Sequence, residues 1–452
     1  MLFGTGHGMG AGLDGPSGDA TLTEKGHPDE SDGEPSMLSK LNATNYRNLH
    51  LGDGVPLGSL NLFVGPNGSG KTNFVRLLRL LQDAIIGAPD ERRGVTSFED
   101  AVSQAGRGRL LDAELSTPAD VFVDYSFRLQ RDYDHQLFIG LRVNDDNSVL
   151  VSQELMCRWP PGSRPPDPFR YYEVSPMTGK GVVSVSGADS PVGELPPNQL
   201  VFRSLQGWLE KHIPRAARHI PFYEGRTLIA DSVAQWVFYE SARMSTQAIR
   251  QSNPEVGGAD TVLSGSGENL VLVLSNLMRD GLEFEERLQQ AMQELFPKTR
   301  RLRVVPAGRV ALSLEWWYPQ FQRPFFLDEM SDGTVRMLCW AAVLLASAPP
   351  SLIVLEEPET GLHPAWLRVL AGWIRDAARR TQVIVSTHSP DLLDHFTENI
   401  ADVRVFASDP AEPGHTIVKS IDPEAIASKL GEGWELGDLY RVGDPGVGGW
   451  PW

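Results

Sequence analysis

An α/β fold, a helix-covered parallel sheet interrupted by a helical and antiparallel-strand insertion, is predicted by three features of this sequence. Two continuous apolar runs, Leu352–Leu355 and Val383–Val385, alternate with helical patterns over Val335–Ala346 and Ala365–Arg379. Strands without polar alternation are buried on both faces, as in a parallel sheet packed between helices. A third apolar run, Leu60–Val64, ends in Gly65-Pro66-Asn67-Gly68-Ser69-Gly70-Lys71-Thr72 and is followed by a helical run, Asn73–Leu81. Strand, glycine-rich loop, helix is the context a phosphate-binding loop requires.

The remaining elements follow in chain order. Residues 1–36 are rich in Gly, Asp, Glu, Pro and Ser; they bury too little to fold and are expected as a disordered leader, with Met37 an alternative start. Leu38–Leu51 reads as one or two strands carrying Tyr46-Arg47-Asn48-Leu49, and Ser97–Arg109 as a polar stretch containing Gln104. Val121–Leu129, Leu137–Val143, Val149–Arg158 and Tyr171–Val185 alternate apolar with polar, which argues for antiparallel strands with one wet face. The proline-dense Arg158–Pro168 is a loop. Asn198 to about Arg250 reads as helical. Gly265-Ser266-Gly267 is a break before an apolar helix, Asn269–Met278, and an amphipathic one, Glu283–Phe296. Strand character returns over Leu302–Trp317, and Asp402-Val403-Arg404-Val405 reads as a sheet edge. The expected division is a leader (1–36), an N-terminal lobe with the loop and antiparallel strands (37–190), a mainly helical insertion (191–300) and a C-terminal lobe (301–452).

Composition narrows the partners. The 452 residues carry a net charge of −17, with 41% hydrophobic and 22% charged residues. Such a surface repels nucleic acid and anionic membrane, so any DNA contact needs a local basic patch. Lys211, Arg215 and Arg218, and Lys298, Arg300, Arg301, Arg303 and Arg309, are the two candidates; a solvated face is the simpler reading of both. No apolar run reaches membrane-spanning length and no signal-peptide layout is present, so no membrane is expected, and a cytoplasmic location is. Cys157 and Cys339 lack metal-ligand spacing and read as small packing residues in a reducing compartment. Trp236, Phe238 and Tyr239 read as core rather than as a base-stacking surface.

The chemistry sits at four places. In the loop, Asn67, Gly68, Ser69 and Gly70 curl the backbone so that its N–H groups and the helix start face phosphate; Lys71 adds a full charge and the Thr72 hydroxyl can ligate Mg²⁺. Leu352–Leu355 ends in Glu356-Glu357-Pro358, and carboxylates at the carboxyl end of a parallel strand suit Mg²⁺ handling and activation of an attacking water. His388, in Thr387-His388-Ser389, follows the next buried strand. Met330-Ser331-Asp332-Gly333-Thr334-Val335-Arg336 opens a helix; alone it would be an N-cap and nothing more.

Taken in that order, these motifs resemble the ABC-type ATPase heads, and most nearly the RecF/SMC-like ATPases related to the OLD family. Asn61–Val64 before the loop, Asn73 after it, Glu356–Pro364, Ser386–Pro390, Glu268-Asn269-Leu270 and Leu436–Tyr440 carry the resemblance, which spans roughly 38–445. It implies a P-loop NTPase of ABC/SMC-head type with a mixed sheet, using ATP and Mg²⁺ and pairing head to tail in a homodimer or higher oligomer that sandwiches ATP. It implies Lys71 and Thr72 on phosphate and metal, Glu356 at the metal, Glu357 as general base, and His388 as the switch histidine. Ser331 and Gly333 would reach a partner's γ-phosphate, Arg47 and Asn48 would lie on a strand near the nucleotide, and Gln104 would be the Q-loop residue. Glu356 stands where many such heads have Asp, and Asp332 where many have Gly; a carboxylate near phosphate must point away or meet a basic partner. The insertion has no heptads, unlike SMC proteins, and the stretch after Ser389-Pro390 is too short for a Toprim nuclease domain. The implied role is a nucleotide-driven sensor or scaffold for a separate effector in bacterial genome maintenance or antiphage defence. The alternatives are a RecF-like repair ATPase that binds DNA directly, and a nucleotide-gated module with negligible turnover.

Overall fold

A computed structural model describes residues 37–448, apart from 88–94, 130, 131, 186, 215–219, 253 and 256. The expected leader and the cluster residues Arg215 and Arg218 lie outside the described residues. A six-stranded mixed sheet runs in the order Trp236–Glu240, Leu352–Glu356, Gln382–Thr387, Leu60–Val64, Val403–Ser408, Thr416–Ser420. The first five strands are parallel and the last is antiparallel.

Every residue of the three central strands, Leu352–Glu356, Gln382–Thr387 and Leu60–Val64, is buried. Alternate side chains serve two cores, as strand geometry requires. Phe63, Leu352, Val354 and Ile384 pack with the helix Lys71–Ile86, while Leu62, Ile353, Leu355 and Val385 pack with the helices Asp332–Leu344 and Pro364–Ala378.

Against the first core lies an eight-stranded antiparallel sheet, ordered Val55–Pro56, Met37–Thr44, Ala119–Arg128, Asp134–Val143, Val149–Trp159, Phe169–Ser175, Lys180–Val185, Ala188–Pro191. Val121, Val123, Tyr125 and Phe127 are its buried alternates on one strand, and the Tyr125 hydroxyl donates to the Leu77 carbonyl at 2.9 Å. Gln382 ties this sheet to the parallel one. Its amide accepts from Leu38 N–H at 3.0 Å and donates to the Leu38 and Gly58 carbonyls, each at 2.8 Å. A small antiparallel sheet, Arg301–Ala307, Ala311–Trp317 and Phe325–Phe326, precedes the helix that Ser331 caps.

Three expectations need correction. Residues 236–240 are a strand, not helix: Trp236–Glu240 pairs in parallel with Leu352–Glu356 at the sheet's edge. A five-residue aromatic and β-branched run between helices carries no periodicity long enough to declare itself. Asp402–Val405 does not mark an edge, because Thr416–Ser420 covers the Val403–Ser408 strand. Arg47 and Asn48 lie in a turn between Tyr46 and Leu49, with Arg47 at φ 50°, not on a strand.

Trp236, Phe238 and Tyr239 are core residues, and Cys157 and Cys339 are buried and free. No helix of the described residues is long and apolar enough to cross a membrane.

Glu154 is the antiparallel sheet's most deeply buried carboxylate. It accepts from the backbone N–H of Val201 and Phe202, each at 2.7 Å, and from the Tyr172 hydroxyl at 2.6 Å, so it caps the helix Val201–His212. Burial outweighs these donors and raises its pKa from 4.5 to about 7. Between those values the folded chain keeps a proton that the unfolded chain releases, so this group's contribution to stability falls as pH rises from 4.5 to about 7. Urea unfolding at about pH 5 and about pH 7.5 should show that loss, and Glu154→Gln should remove its share of the slope.

Candidate nucleotide site

The loop closes over the carboxyl ends of the parallel strands, where ligands bind in such sheets. Gly65 has φ 151°, and a Cβ there would stand 2.2 Å from the Phe406 carbonyl oxygen, so only glycine lets the loop leave the sheet this closely. Lys71 begins the helix and is nearly buried; its ammonium donates to the Gly65 and Pro66 carbonyls at 2.5 and 3.0 Å and to Ser69 Oγ at 3.4 Å. Among the described residues no carboxylate pairs with it directly. Burial pulls its pKa down to about 8, with Glu357 and Glu359 opposing that shift through their charge.

A cavity of 390 Å³ is lined by Asn67 through Asn73, by Glu356 and Glu357, and by Arg76, Glu240 and Ser386. The sheet register explains this convergence. Glu240 pairs with Glu356, and Glu356 with Ser386, in one row across neighbouring strand ends. Burial raises the Glu356 pKa, and Arg79, 3.9 Å away, and a hydrogen bond from the Thr72 hydroxyl oppose the rise. Thr72 and the two carboxylates are hard oxygen donors, the set that Mg²⁺ prefers. The loop's glycines, the cavity-lining Lys71 and these oxygens fit a Mg²⁺–nucleotide.

Glu357 breaks from the strand into a left-handed turn, φ 51°, a conformation rare for a side-chain-bearing residue. Three hydrogen bonds hold it there. Its N–H donates to the Ser386 carbonyl at 2.8 Å, and its carbonyl accepts from Ser241 Oγ at 2.7 Å and from Thr360 N–H at 3.1 Å. The turn aims its carboxylate at His388, with Nδ1 3.1 Å from Glu357 Oε1. Both side chains remain half-exposed.

Other sequence candidates lie elsewhere. Arg47 and Asn48 line a neighbouring cavity that shares Asn73 with the first. Asn73 donates to Asn48 Oδ1 at 2.6 Å, Asn48 donates to Thr416 Oγ1 at 2.8 Å, and Arg76 donates to Asn73 Oδ1 at 3.0 Å. Ser331 caps its helix, accepting from Thr334 N–H at 3.3 Å, and a Cβ on Gly333 would stand 2.9 Å from the Trp366 ring. Neither Ser331 nor Gly333 lines the cavity within this chain. Asp332 meets the basic partner its position calls for: Arg250 Nη2 lies 2.6 Å away, and the Thr246 hydroxyl donates to it at 2.8 Å. Gln104 is exposed on the helix Phe98–Ala105 and does not line the cavity.

Sequence reading missed Glu240, Arg76 and Ser241. The signal for Glu240 was available, since Trp236–Tyr239 ends in an acid as Leu352–Leu355 does.

Ser241 also links the site to the helix capped by Ser331. Arg336 of that helix donates to the Ser241 carbonyl at 3.0 Å while Ser241 Oγ holds Glu357, and Trp340 donates to the Pro358 carbonyl at 3.0 Å.

Residues 60–394 match the sequence profile of a family described as "AAA domain, putative AbiEii toxin, Type IV TA system". No curated protein matches the chain. Solved structures that align with it include an SMC head bound to the C-terminal winged-helix domain of ScpA, at 14% identity over 86% of this chain and 98% of that one, with TM-score 0.48. A Pyrococcus furiosus Smc head with an extended coiled coil, bound to the C-terminal domain of ScpA, aligns at 14% identity over 88% and 99%, TM-score 0.46. The SMC head of Thermotoga maritima aligns at 12% identity over 85% and 99%, TM-score 0.41.

Proposed function

Because the chain belongs to that AAA-domain family and has an α/β P-loop NTPase fold, we propose that it is an ATPase of the ABC/SMC-head type whose two sites are each completed by a second copy. One observation carries the catalytic half of this reading: Lys71, Thr72, Glu356 and Glu357 line one cavity at the carboxyl ends of the parallel strands, and His388, outside that lining, pairs with Glu357. Lys71 and the loop N–H groups would hold the β- and γ-phosphates. Thr72 and Glu356 would hold Mg²⁺, which supplies charge neutralisation when bound. Glu357, oriented by His388, would accept a proton from the attacking water.

The second half rests on Ser331 and Gly333. They sit at a helix start away from this chain's own cavity, where backbone N–H groups suit an anion. A partner's γ-phosphate fits that position in a head-to-tail pair, so opening and closing of the pair would report nucleotide state. We assign that output to a separate effector. The family's description sets the AAA domain in a toxin–antitoxin system, which supports a defence-linked role. The basic cluster near the small sheet weighs against DNA. Arg301 pairs with Glu285 at 3.4 Å and Arg303 with Glu315 at 2.7 Å, which spends charge that phosphates would need. Purified protein should therefore hydrolyse ATP without DNA, with rate per chain rising steeply with protein concentration. A rate that depends on added DNA would favour the repair-ATPase reading.

Lys71 gives this site a pH signature. The free lysine loses its proton near pH 8, and a bound triphosphate favours the charged form, so binding above that pH takes up a proton. Nucleotide affinity should fall by up to about tenfold per pH unit as pH rises above about 8, the value of Lys71 without nucleotide. Calorimetry at alkaline pH in buffers of different ionisation enthalpy should register the proton uptake. A flat affinity across this range would contradict the assignment.

A further inference from the structure

Beside the nucleotide cavity lies a second cluster that the hydrolysis reading does not use. His50 and His415 stack face to face, with ring centroids 3.8 Å apart and planes within 8°. Asp112 faces one edge of the stack: its Oδ2 is 2.7 Å from His415 Nε2 and 3.9 Å from His50 Nε2. Glu412 faces the other, with Oε2 3.1 Å from His50 Nδ1 and 3.4 Å from His415 Nδ1. One donor atom from each of His50, Asp112 and His415 falls within a 4.8 Å set.

Asp112 and His415 are each 6% exposed. A neutral imidazole has a single N–H, and His415 spends it on Asp112 at the Nε2 edge. Its buried Nδ1 then has no hydrogen-bond partner and turns a lone pair toward a carboxylate. Two imidazoles between two carboxylates form an electron-rich pocket that a cation would satisfy. Mixed nitrogen and carboxylate donors select Zn²⁺ and its neighbours over Mg²⁺. The outer geometry fits as well: the Asp112 carboxylate is oriented by the Glu114 N–H at 3.0 Å, as metal-binding carboxylates commonly are.

We propose that His50, His415 and Asp112, with Glu412 at the open edge, bind a divalent transition-metal ion of the Zn²⁺ class. The ion clips together three segments far apart in the chain. His50 follows the turn of Arg47 and Asn48, Asp112 lies beyond the helix Phe98–Ala105, and His415 opens the Thr416–Ser420 strand. Backbone bonds already align two of them, with Thr416 N–H donating to Asn48 O at 2.6 Å and His50 N–H to Thr416 O at 2.9 Å. From Thr416 the side-chain bonds run through Asn48 to Asn73, next to Thr72 of the loop. Coordination tilts the stacked rings apart, and the half-exposed His50 and the exposed Glu412 have room for that movement. The unfolded chain has no such site, so the ion stabilises the folded one.

The test uses the full chain, chelator-stripped and nucleotide-free, titrated with Co²⁺ and followed by its visible d–d absorption, then with Zn²⁺ and metal analysis. One equivalent per chain is expected, unaffected by excess Mg²⁺, with a higher melting temperature. His415→Gln and Asp112→Asn should abolish the spectrum, and His50→Gln should weaken binding by about tenfold or more. Circular dichroism and nucleotide binding check that each variant is folded. Should the buried substitutions unfold the chain, the half-exposed His50→Gln decides the matter. The proposal is overturned if the wild type gives no d–d spectrum, or if His50→Gln binds metal as tightly as the wild type. Neither result bears on ATP hydrolysis, which involves none of these residues.

Discussion

Glu357→Gln should lower ATP turnover by about two to four orders of magnitude, the usual contribution of a general base, while leaving nucleotide affinity nearly unchanged. The amide keeps the side chain's volume and can still bond His388, so it removes only the ability to take a proton. The backbone of residue 357 is held by Ser386, Ser241 and Thr360 whatever its side chain, so the left-handed turn survives the exchange. Lys71 and Thr72 are untouched, and filter binding or calorimetry should find ATP bound but not consumed. This pattern separates an enzyme from a gated binding module. If variant and wild type hydrolyse ATP at equal rates, no proton is taken by Glu357 and the catalytic assignment is wrong.

Ser331→Arg should abolish hydrolysis just as fully, for a different reason. Ser331 lies outside its own chain's cavity. Losing its cap on the helix Asp332–Leu344 costs about 1 kcal/mol, too little to unfold the protein. If each site borrows this helix start from a second copy, the bulky arginine blocks the approach while every chain still binds ATP alone. A mixing experiment sharpens the test. Ser331→Arg and Lys71→Ala chains are each inactive, yet a mixed pair contains one site with a normal loop and a normal cap, so combining them should restore part of the activity. Full activity in Ser331→Arg alone, or no recovery on mixing, would rule out the shared site.

How much of this was legible in the residues depended on the kind of signal. Leu60–Val64, Leu352–Glu356 and Gln382–Thr387 declared themselves because each is built on an apolar run and leads into a polar motif with its own chemistry. The antiparallel strands showed through alternation, as in Ala119–Arg128. Trp236–Glu240 did not: its aromatic residues suit helix or strand, and only the vacant flank of Leu352–Glu356 decides for strand. With that strand went Glu240: the acid ending the run is visible in the sequence, but its place beside Glu356 depends on register between distant segments. Arg47 and Asn48 form a turn because Arg47 adopts a positive φ that its residue type does not announce. Gln104 had only its residue type to recommend it; Ser97 and Asp100 form a capping box that places it on an exposed helix.

The bridge through Ser241 has a mechanical meaning. Its carbonyl holds Arg336 of the capped helix and its hydroxyl holds the turn bearing Glu357, while Trp340 fastens the same helix to Pro358. In the proposed pair, the grip that one protomer would lend its mate and the base it would keep for itself are thus joined like the two arms of a lever. A push on either arm would move the other, so the two ATP molecules of such a pair would be consumed in a correlated rhythm rather than as independent clocks.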